Sequence, residues 1–432
     1  MAPPHSPRLF YGYVVVAACF VILFLVWGMV LNTFPIFLKP IAEDMNWGRG
    51  ALAVALLMGS IGTGIAAPVA GAIIDRIGAR PVMVAGALTI GLGLLAGSQI
   101  NHLWQLYLVF VASGCGLMSA SIIPCSLIIS NWFVSRRGAA MSGAFVGTSA
   151  GGMVMSPVAN WIILDYGWRT AFALSGITII VVVIPVVLLA IRTHPSDVGL
   201  EPYRDPGTAP SESEENWGVG VKEALSLRSF WQIAAVMLIM GLVAGGLGNH
   251  CVAYLTDLDH SPDRAAFAWS LVMGVMILGK LSIGPFADRW SARNAMAAAC
   301  ALFAISIAIV TFATPYWIVL VFAALYGFAC GAPLVLNPLL TSEYLGMKHF
   351  GALYGVLNIM ATVGGAIGPV GAGIYFDRTG SYLPVFYLFV AMMLVAGVVA
   401  ISMQPRGPRR AASEPVPLLS LIHISEPTRP TT

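Results

Sequence analysis

The apolar stretch from about Ala265 to Ala287 contains one charged side chain, Lys280, and no acid that could neutralise it. Asp288 marks the end of the stretch eight residues later, which sets Lys280 ~12 Å deep in a helix rising 1.5 Å per residue. A lysine stem recovers about half of that depth, so snorkelling, the bland alternative, falls short of the nearer interface. A lone cation at such depth marks a ligand or ion pathway, and the ligand it calls for is an anion. The other strongly ionisable side chain within a span is His250, about one and a half turns from the outer end of Phe230–Leu255. Because imidazole titrates near neutral pH, His250 is the candidate proton carrier; the alternative is a neutral, hydrogen-bonded histidine at the rim. Asp257 lies two helical turns beyond it and could meet it only through water or bending, so that capping or ending the helix is its simpler role. Asn32, Ser119, Ser121, Tyr326, Tyr354 and Asn358 lie at mid-membrane depth. Hydroxyls and amides of this kind can orient a carboxylate while apolar walls desolvate it, although Ser and Asn within spans also bond neighbouring helices. Lys280, Asn32, Ser119, Tyr326 and Asn358 form the expected substrate site.

The elements that must hold these groups are membrane helices. Hydrophobic residues make up 58% of the 432, charged residues only 9%, and the mean hydropathy is +0.85. Apolar runs long enough to cross a bilayer recur twelve times: Tyr11–Ile36, Ala51–Ile74, Val82–Gln99, Leu103–Ile129, Ala139–Leu164, Arg169–Ile191, Phe230–Leu255, Ala265–Ala287, Ala295–Ala313, Tyr316–Leu340, Ala352–Tyr375 and Leu383–Met403. Lipid offers backbone polar groups no partners, so these runs must be helical. The expected fold is an all-α membrane protein of twelve transmembrane helices. The six cysteines fall singly in apolar helices, without metal-ligand or disulfide spacing, and read as small packing residues. There is no nucleotide loop, no zinc spacing and no buried carboxylate pair, which argues against an enzyme and implies no cofactor or metal. A drug or cation exporter would be expected to bury an acid in its spans, and none is found.

Lysine and arginine set the orientation. With the N-terminus inside, the inner segments hold Arg8, Arg76, Arg80, Arg136, Arg137, Arg192, Arg204, Lys222, Arg228, Arg289, Arg293, Lys348, Arg406, Arg409 and Arg410, against Lys39, Arg49, Arg169, Arg264 and Arg378 outside. A plasma-membrane protein with both termini cytoplasmic is expected, and the net charge of +3 reflects topology; nothing points to nucleic acid. The short polar leader before Phe10 shows no cleavable signal, because the first apolar run is too long. Leu419–Thr432, with His423, looks like a translated sequencing-adapter tag and is expected to be foreign to the natural tail.

The chain contains itself twice. Gly71-Ala-Ile-Ile-Asp75-Arg76-Ile-Gly-Ala79-Arg80 returns 213 residues later as Gly284-Pro-Phe-Ala-Asp288-Arg289-Trp-Ser-Ala292-Arg293. The same offset carries Gly138-Ala139 onto Gly351-Ala352 and Gly151-Gly152 onto Gly364-Gly365. Two six-helix halves of the same orientation are implied, at 1–192 and 229–403, with a tail at 404–432. Between them Thr193–Arg228, with Pro195, Pro202, Pro206, Pro210 and the acids Glu212, Glu214 and Glu215, reads as a mobile cytoplasmic linker. The series Gly143, Gly147, Gly151 reads as close helix packing.

The repeated block resembles the signature loop of the major facilitator superfamily. Its physical sense is a latch, formed by Gly71, Asp75, Arg76, Arg80, Asp288, Arg289 and Arg293, in which the acids and arginines pair across the halves and with helix termini. Further stretches resemble the monocarboxylate transporter and oxalate:formate antiporter branch: Tyr11-Gly-Tyr, Asn131-Trp-Phe-Val-Ser-Arg-Arg137-Gly, Tyr166-Gly-Trp-Arg169, His250…Asp257 and Asp377-Arg-Thr-Gly-Ser-Tyr382. The resemblance implies a secondary active transporter of a small organic monocarboxylate, acting as a monomer by alternating access. It sets Lys280 where that branch has an arginine facing the substrate carboxylate. Lysine is a compact point charge without the bidentate fork of arginine. Two departures stand out: the acid expected one turn before the cation is Met276, and the lysine expected near the outer end of span one is Asn32. Both argue against proton symport by the animal carriers' route, which leaves His250. Span eleven lacks a second cation, which disfavours a dicarboxylate. Exchange of organic anions, or export of other small solutes, is the alternative.

Overall fold

The computed structural model describes residues 10–205 and 217–404. Among them eleven helical runs are long and apolar enough to cross a membrane. One of these, Arg137–Ala190, has 54 residues, roughly 80 Å at 1.5 Å per residue and far more than one crossing requires. Gly167 divides it, at φ 83° and ψ 161°, a conformation that a side chain bearing a Cβ avoids. This is the glycine of Tyr166-Gly-Trp-Arg169, and the break yields spans five and six. The twelve expected spans are therefore present.

Spans one, four and ten depart from regular α-helix beside the residues of the site. Span one, Tyr11–Val26, widens into a π-helical turn at Trp27–Asn32 and continues into an outer helix, Phe34–Met45. Span four comprises Leu103–Ala120 and Ile122–Trp132, with Ser121 out of helical geometry between them. Span ten comprises Tyr316–Cys330 and Ala332–Leu345 on either side of Gly331. Span six also widens, at Ile179–Val183. The remaining spans of the first half are two, Arg49–Ile77, and three, Ala79–Gly97. Those of the second half are seven, Arg228–Asp257; eight, Pro262–Trp290; nine, Ala292–Val310; eleven, Phe350–Thr379; and twelve, Leu383–Ile401.

Packing mirrors the repeat. In the first half span one lies on five and span two on four; in the second, seven lies on eleven and eight on ten. Small residues make these approaches possible, as expected where lipid supplies no hydrophobic drive between helices. A Cβ on Gly151 would lie 2.1 Å from the Phe24 carbonyl oxygen, and one on Gly147 2.5 Å from that of Phe20. The glycine series of span five is thus the seat of span one. The halves meet through span five on span eight and span two on span eleven.

At the outer end Asp44 accepts hydrogen bonds from Arg169 and from Trp168 Nε1, the latter at 3.0 Å. The Arg169 hydrogen bond, followed by that of Trp168, holds the Asp44 carboxyl below its ordinary range. The motif before span six therefore fastens the outer helix Phe34–Met45.

The described flanks of the expected linker are tied down. Tyr203 N donates to Trp132 O at 2.8 Å, and Tyr203 O accepts from Val134 N and Ser135 N at 3.1 Å. Arg136 pairs with Asp205 at 3.0 Å. On the other side Met347 N donates to Trp217 O at 2.9 Å, and Val219 N donates to Leu345 O at 3.0 Å. The anchoring residues Phe133 and Gly346, bridged to Tyr203 and Gly218, are themselves 213 positions apart. Each flank is held to the equivalent end of span four or span ten by backbone hydrogen bonds, which composition does not reveal. Pro206, Pro210, Glu212, Glu214 and Glu215 lie outside the described residues, as do Arg8, Arg406, Arg409, Arg410 and Leu419–Thr432.

Candidate functional site

Lys280 is 4% exposed and points from span eight into the opposite half. Its Nζ donates to Thr148 Oγ1 and to Ser149 Oγ, each at 2.6 Å. Both hydroxyls belong to span five. The Thr148 hydroxyl donates to Phe145 O at 2.8 Å, and the Ser149 hydroxyl faces Met276 Sδ at 3.7 Å. With their hydrogens so engaged, the two oxygens present lone pairs to the ammonium. Asn32, in the π turn of span one, donates from Nδ2 to Thr148 O at 2.9 Å, and a Cβ on Gly152 would lie 2.7 Å from that same nitrogen. Behind the lysine, a Cβ on Gly331 would lie 2.5 Å from the Lys280 backbone nitrogen. The break in span ten thus sits directly against Lys280, and spans eight and ten meet there backbone to backbone.

The cation has no counterpart in the other half. Position 67, which is 213 residues before Lys280, is Ala67, 1% exposed and packed on Gly355. Scaffold symmetry is broken at this level by one charge.

Of the other residues expected to bind substrate, Asn32 joins Lys280 through Thr148. Tyr326 is buried among Phe303 and Phe322, and its hydroxyl donates to Ala244 O at 3.3 Å. Ser119 donates to Cys115 O of its own helix at 2.9 Å, and its Cβ lies against Gly86 of span three. Asn358 Nδ2 faces Met118 Sδ at 3.3 Å, joining spans eleven and four across the halves. Of the two further residues, Ser121 accepts from Trp27 Nε1 at 3.3 Å and Tyr354 stacks on Phe350. Thr148 and Ser149, the lysine's direct partners, carry no signal in the sequence that sets them apart from other hydroxyls in the spans.

His250 joins span seven to span eleven and to the start of span twelve. Its Nε2 lies 2.9 Å from Pro369 O and its Nδ1 3.1 Å from the Tyr382 hydroxyl. A carbonyl can only accept, so Nε2 carries the hydrogen. Asp257 is exposed at the end of span seven.

The repeated block forms two reciprocal clamps at the arginine-rich end. Asp75, at the end of span two, accepts from Gly351 N and Ala352 N, both at 2.9 Å. Asp288, at the end of span eight, accepts from Gly138 N at 2.7 Å and Ala139 N at 2.8 Å. Each carboxylate therefore caps the first turn of a helix in the other half, where free N–H groups and the helix dipole favour an anion. Glycines permit the approach: a Cβ on Gly71 would lie 1.9 Å from Gly351 O, and one on Gly284 2.0 Å from Gly138 O.

Two arginines of the block meet helix termini within their own halves. Arg80 donates to Leu188 O at the end of span six, and Arg293 to Met403 O at 2.9 Å beyond the end of span twelve. Each secures helix ends within its own half, where unpaired carbonyls attract cations. Arg76 and Arg289 extend, both exposed, from the ends of spans two and eight. Arg137 does cross between the halves: its Nη1 donates to Ser342 Oγ of span ten at 3.1 Å.

Comparison with known proteins agrees with this architecture. The chain matches the family model described as Major Facilitator Superfamily over residues 16–282 and 251–428. It is 26% identical to Monocarboxylate transporter 13 of Rattus norvegicus over 404 residues, which cover 91% of this chain and 89% of that protein. It is 27% identical to Monocarboxylate transporter 11 of Homo sapiens over 431 residues, covering 93% and 84%. Among solved structures, the transporter FucP in the outward conformation superposes with a TM-score of 0.68 at 15% identity, covering 91% of this chain and 100% of that one.

Proposed function

The chain belongs to the major facilitator superfamily, in its monocarboxylate-transporter-like branch, and from that premise we propose that it carries a small organic monocarboxylate across the plasma membrane by alternating access. The observation behind this reading is Lys280, a buried ammonium whose described hydrogen-bond partners are two neutral hydroxyls. The hydroxyls accept two of its three N–H groups and leave its charge unmatched, and a carboxylate would meet both needs. A single cation matches a single carboxylate. The names of the relatives point the same way. In this reading the excess of arginine at one end supports both termini in the cytoplasm, and the aspartate clamps then close the cytoplasmic end.

Binding tests the charge argument. A ligand that binds only the folded carrier raises its midpoint of thermal unfolding. Purified carrier is expected to be stabilised by millimolar formate, pyruvate or lactate, and not by the corresponding neutral amides or by oxalate. Equal stabilisation by the amides would rule out recognition of the carboxylate charge.

For the coupling ion we propose a proton on His250. The Tyr382 hydroxyl can turn from donor to acceptor, so the ring can take a second proton at Nδ1 and keep both partners. His250→Gln is expected to preserve exchange of substrate for substrate, because exchange never returns the carrier empty. Net uptake should lose its dependence on an imposed proton gradient. An undiminished dependence would assign the histidine to holding spans seven, eleven and twelve together.

A further inference from the structure

Thr148 and Ser149 hold the lysine from the half that does not carry it. Two adjacent hydroxyls approach one ammonium at 2.6 Å, their own hydrogens are engaged by Phe145 O and Met276 Sδ, and the Thr148 carbonyl is fixed by Asn32. Met276 stands one turn before Lys280, so span eight itself supplies no acid at that place to hold the charge. A carrier that binds an anion through a buried cation and performs net transport must also cross its cycle with the site empty, when the cation is left without a countercharge. Burying an uncompensated charge is costly unless fixed dipoles solvate it.

The geometry points to Thr148 and Ser149 as positioning residues for the empty carrier: they take over the Lys280 ammonium when the carboxylate leaves, and they compete with the carboxylate when it binds. The inference rests on the substrate class proposed above, and it assigns the hydroxyl pair to the substrate-free limb of the cycle. Bringing span five onto span eight through the lysine also gives the empty carrier a contact between its halves, which the arriving carboxylate would replace. A net cycle passes through the empty state and an exchange cycle does not. The pair should therefore govern the first far more than the second.

The test uses the full-length carrier with Thr148→Val and Ser149→Ala combined. In proteoliposomes, with labelled pyruvate as probe, the ratio of exchange to net uptake is expected to rise about tenfold, and the pyruvate concentration for half-maximal exchange to fall. Thr148→Ser with Ser149→Thr keeps both hydroxyls and should restore the original ratio. Equal loss of exchange and net uptake, or weaker pyruvate binding, would instead make the hydroxyls substrate ligands or scaffold and overturn the proposal. A second measurement needs no substrate. In unliganded carrier the double substitution should lower the unfolding midpoint when Lys280 is present and leave it unchanged in a Lys280→Met background, since the interaction is then already gone. Additive losses would overturn the tether even if pyruvate is not carried, whereas failure of the unaltered carrier to take up any monocarboxylate would count against the substrate class alone.

Discussion

Lys280→Met is expected to abolish substrate binding and transport together. Methionine nearly matches the lysine stem in volume, so the packing of span eight on the Gly331 break survives while the charge is lost. A carboxylate entering that site would then be a buried anion without its partner, and removing one member of a buried charge pair costs about 3–5 kcal/mol. At about 1.4 kcal/mol per factor of ten, affinity falls by roughly a hundredfold or more. Lys280→Arg should retain much more activity, because a guanidinium keeps the charge and can reach a carboxylate with two parallel hydrogen bonds. Equilibrium binding of labelled pyruvate to the purified variants distinguishes these outcomes. Wild-type affinity in Lys280→Met would remove the lysine from the site.

The combined substitution Asp75→Asn and Asp288→Asn is expected to slow transport severely and leave binding nearly intact. Each aspartate accepts two backbone N–H groups from the opposite half, and neither touches Lys280. An asparagine keeps one acceptor oxygen but turns an NH2 group toward a second N–H, losing a hydrogen bond and the charge that favours a helix N-terminus. At about 1–2 kcal/mol for each cap, the equilibrium between the carrier's two states shifts roughly tenfold per clamp. The clamps are separate, so the double variant shifts it by about a hundredfold if their effects add. Rates of uptake set against equilibrium binding report the split. A loss of binding with normal turnover would contradict the clamp.

The scaffold is legible in the sequence because its physics is local. Length and apolarity define a span, and one shared offset of 213 residues reveals the two halves. Lys280 is legible for the opposite reason, as the one charge that locality does not explain. Its partners are not. Thr148 and Ser149 look like any hydroxyls in a helix, and whether they bond their own turn or the opposite half depends on how the halves are registered. That register is fixed by Asp288 on Gly138: counting from the clamp, Lys280 is eight residues along one helix and Thr148 ten along the other, so both reach one depth. The contact that makes this count possible is tertiary. The arginines of the repeated block illustrate the same limit, since their sequence places Arg80 and Arg293 at the clamps while their reach takes them to the ends of spans six and twelve.

The chain belongs to the major facilitator superfamily, and the charge at Lys280 is the reason to propose an anion as its substrate. Uptake into proteoliposomes, measured across labelled formate, pyruvate and lactate beside neutral and cationic solutes of similar size, tests that proposal most directly. Saturable uptake of at least one monocarboxylate is expected, inhibited by other monocarboxylates and absent in Lys280→Met. Saturable uptake confined to cations, or uptake that Lys280→Met leaves unchanged, would contradict it.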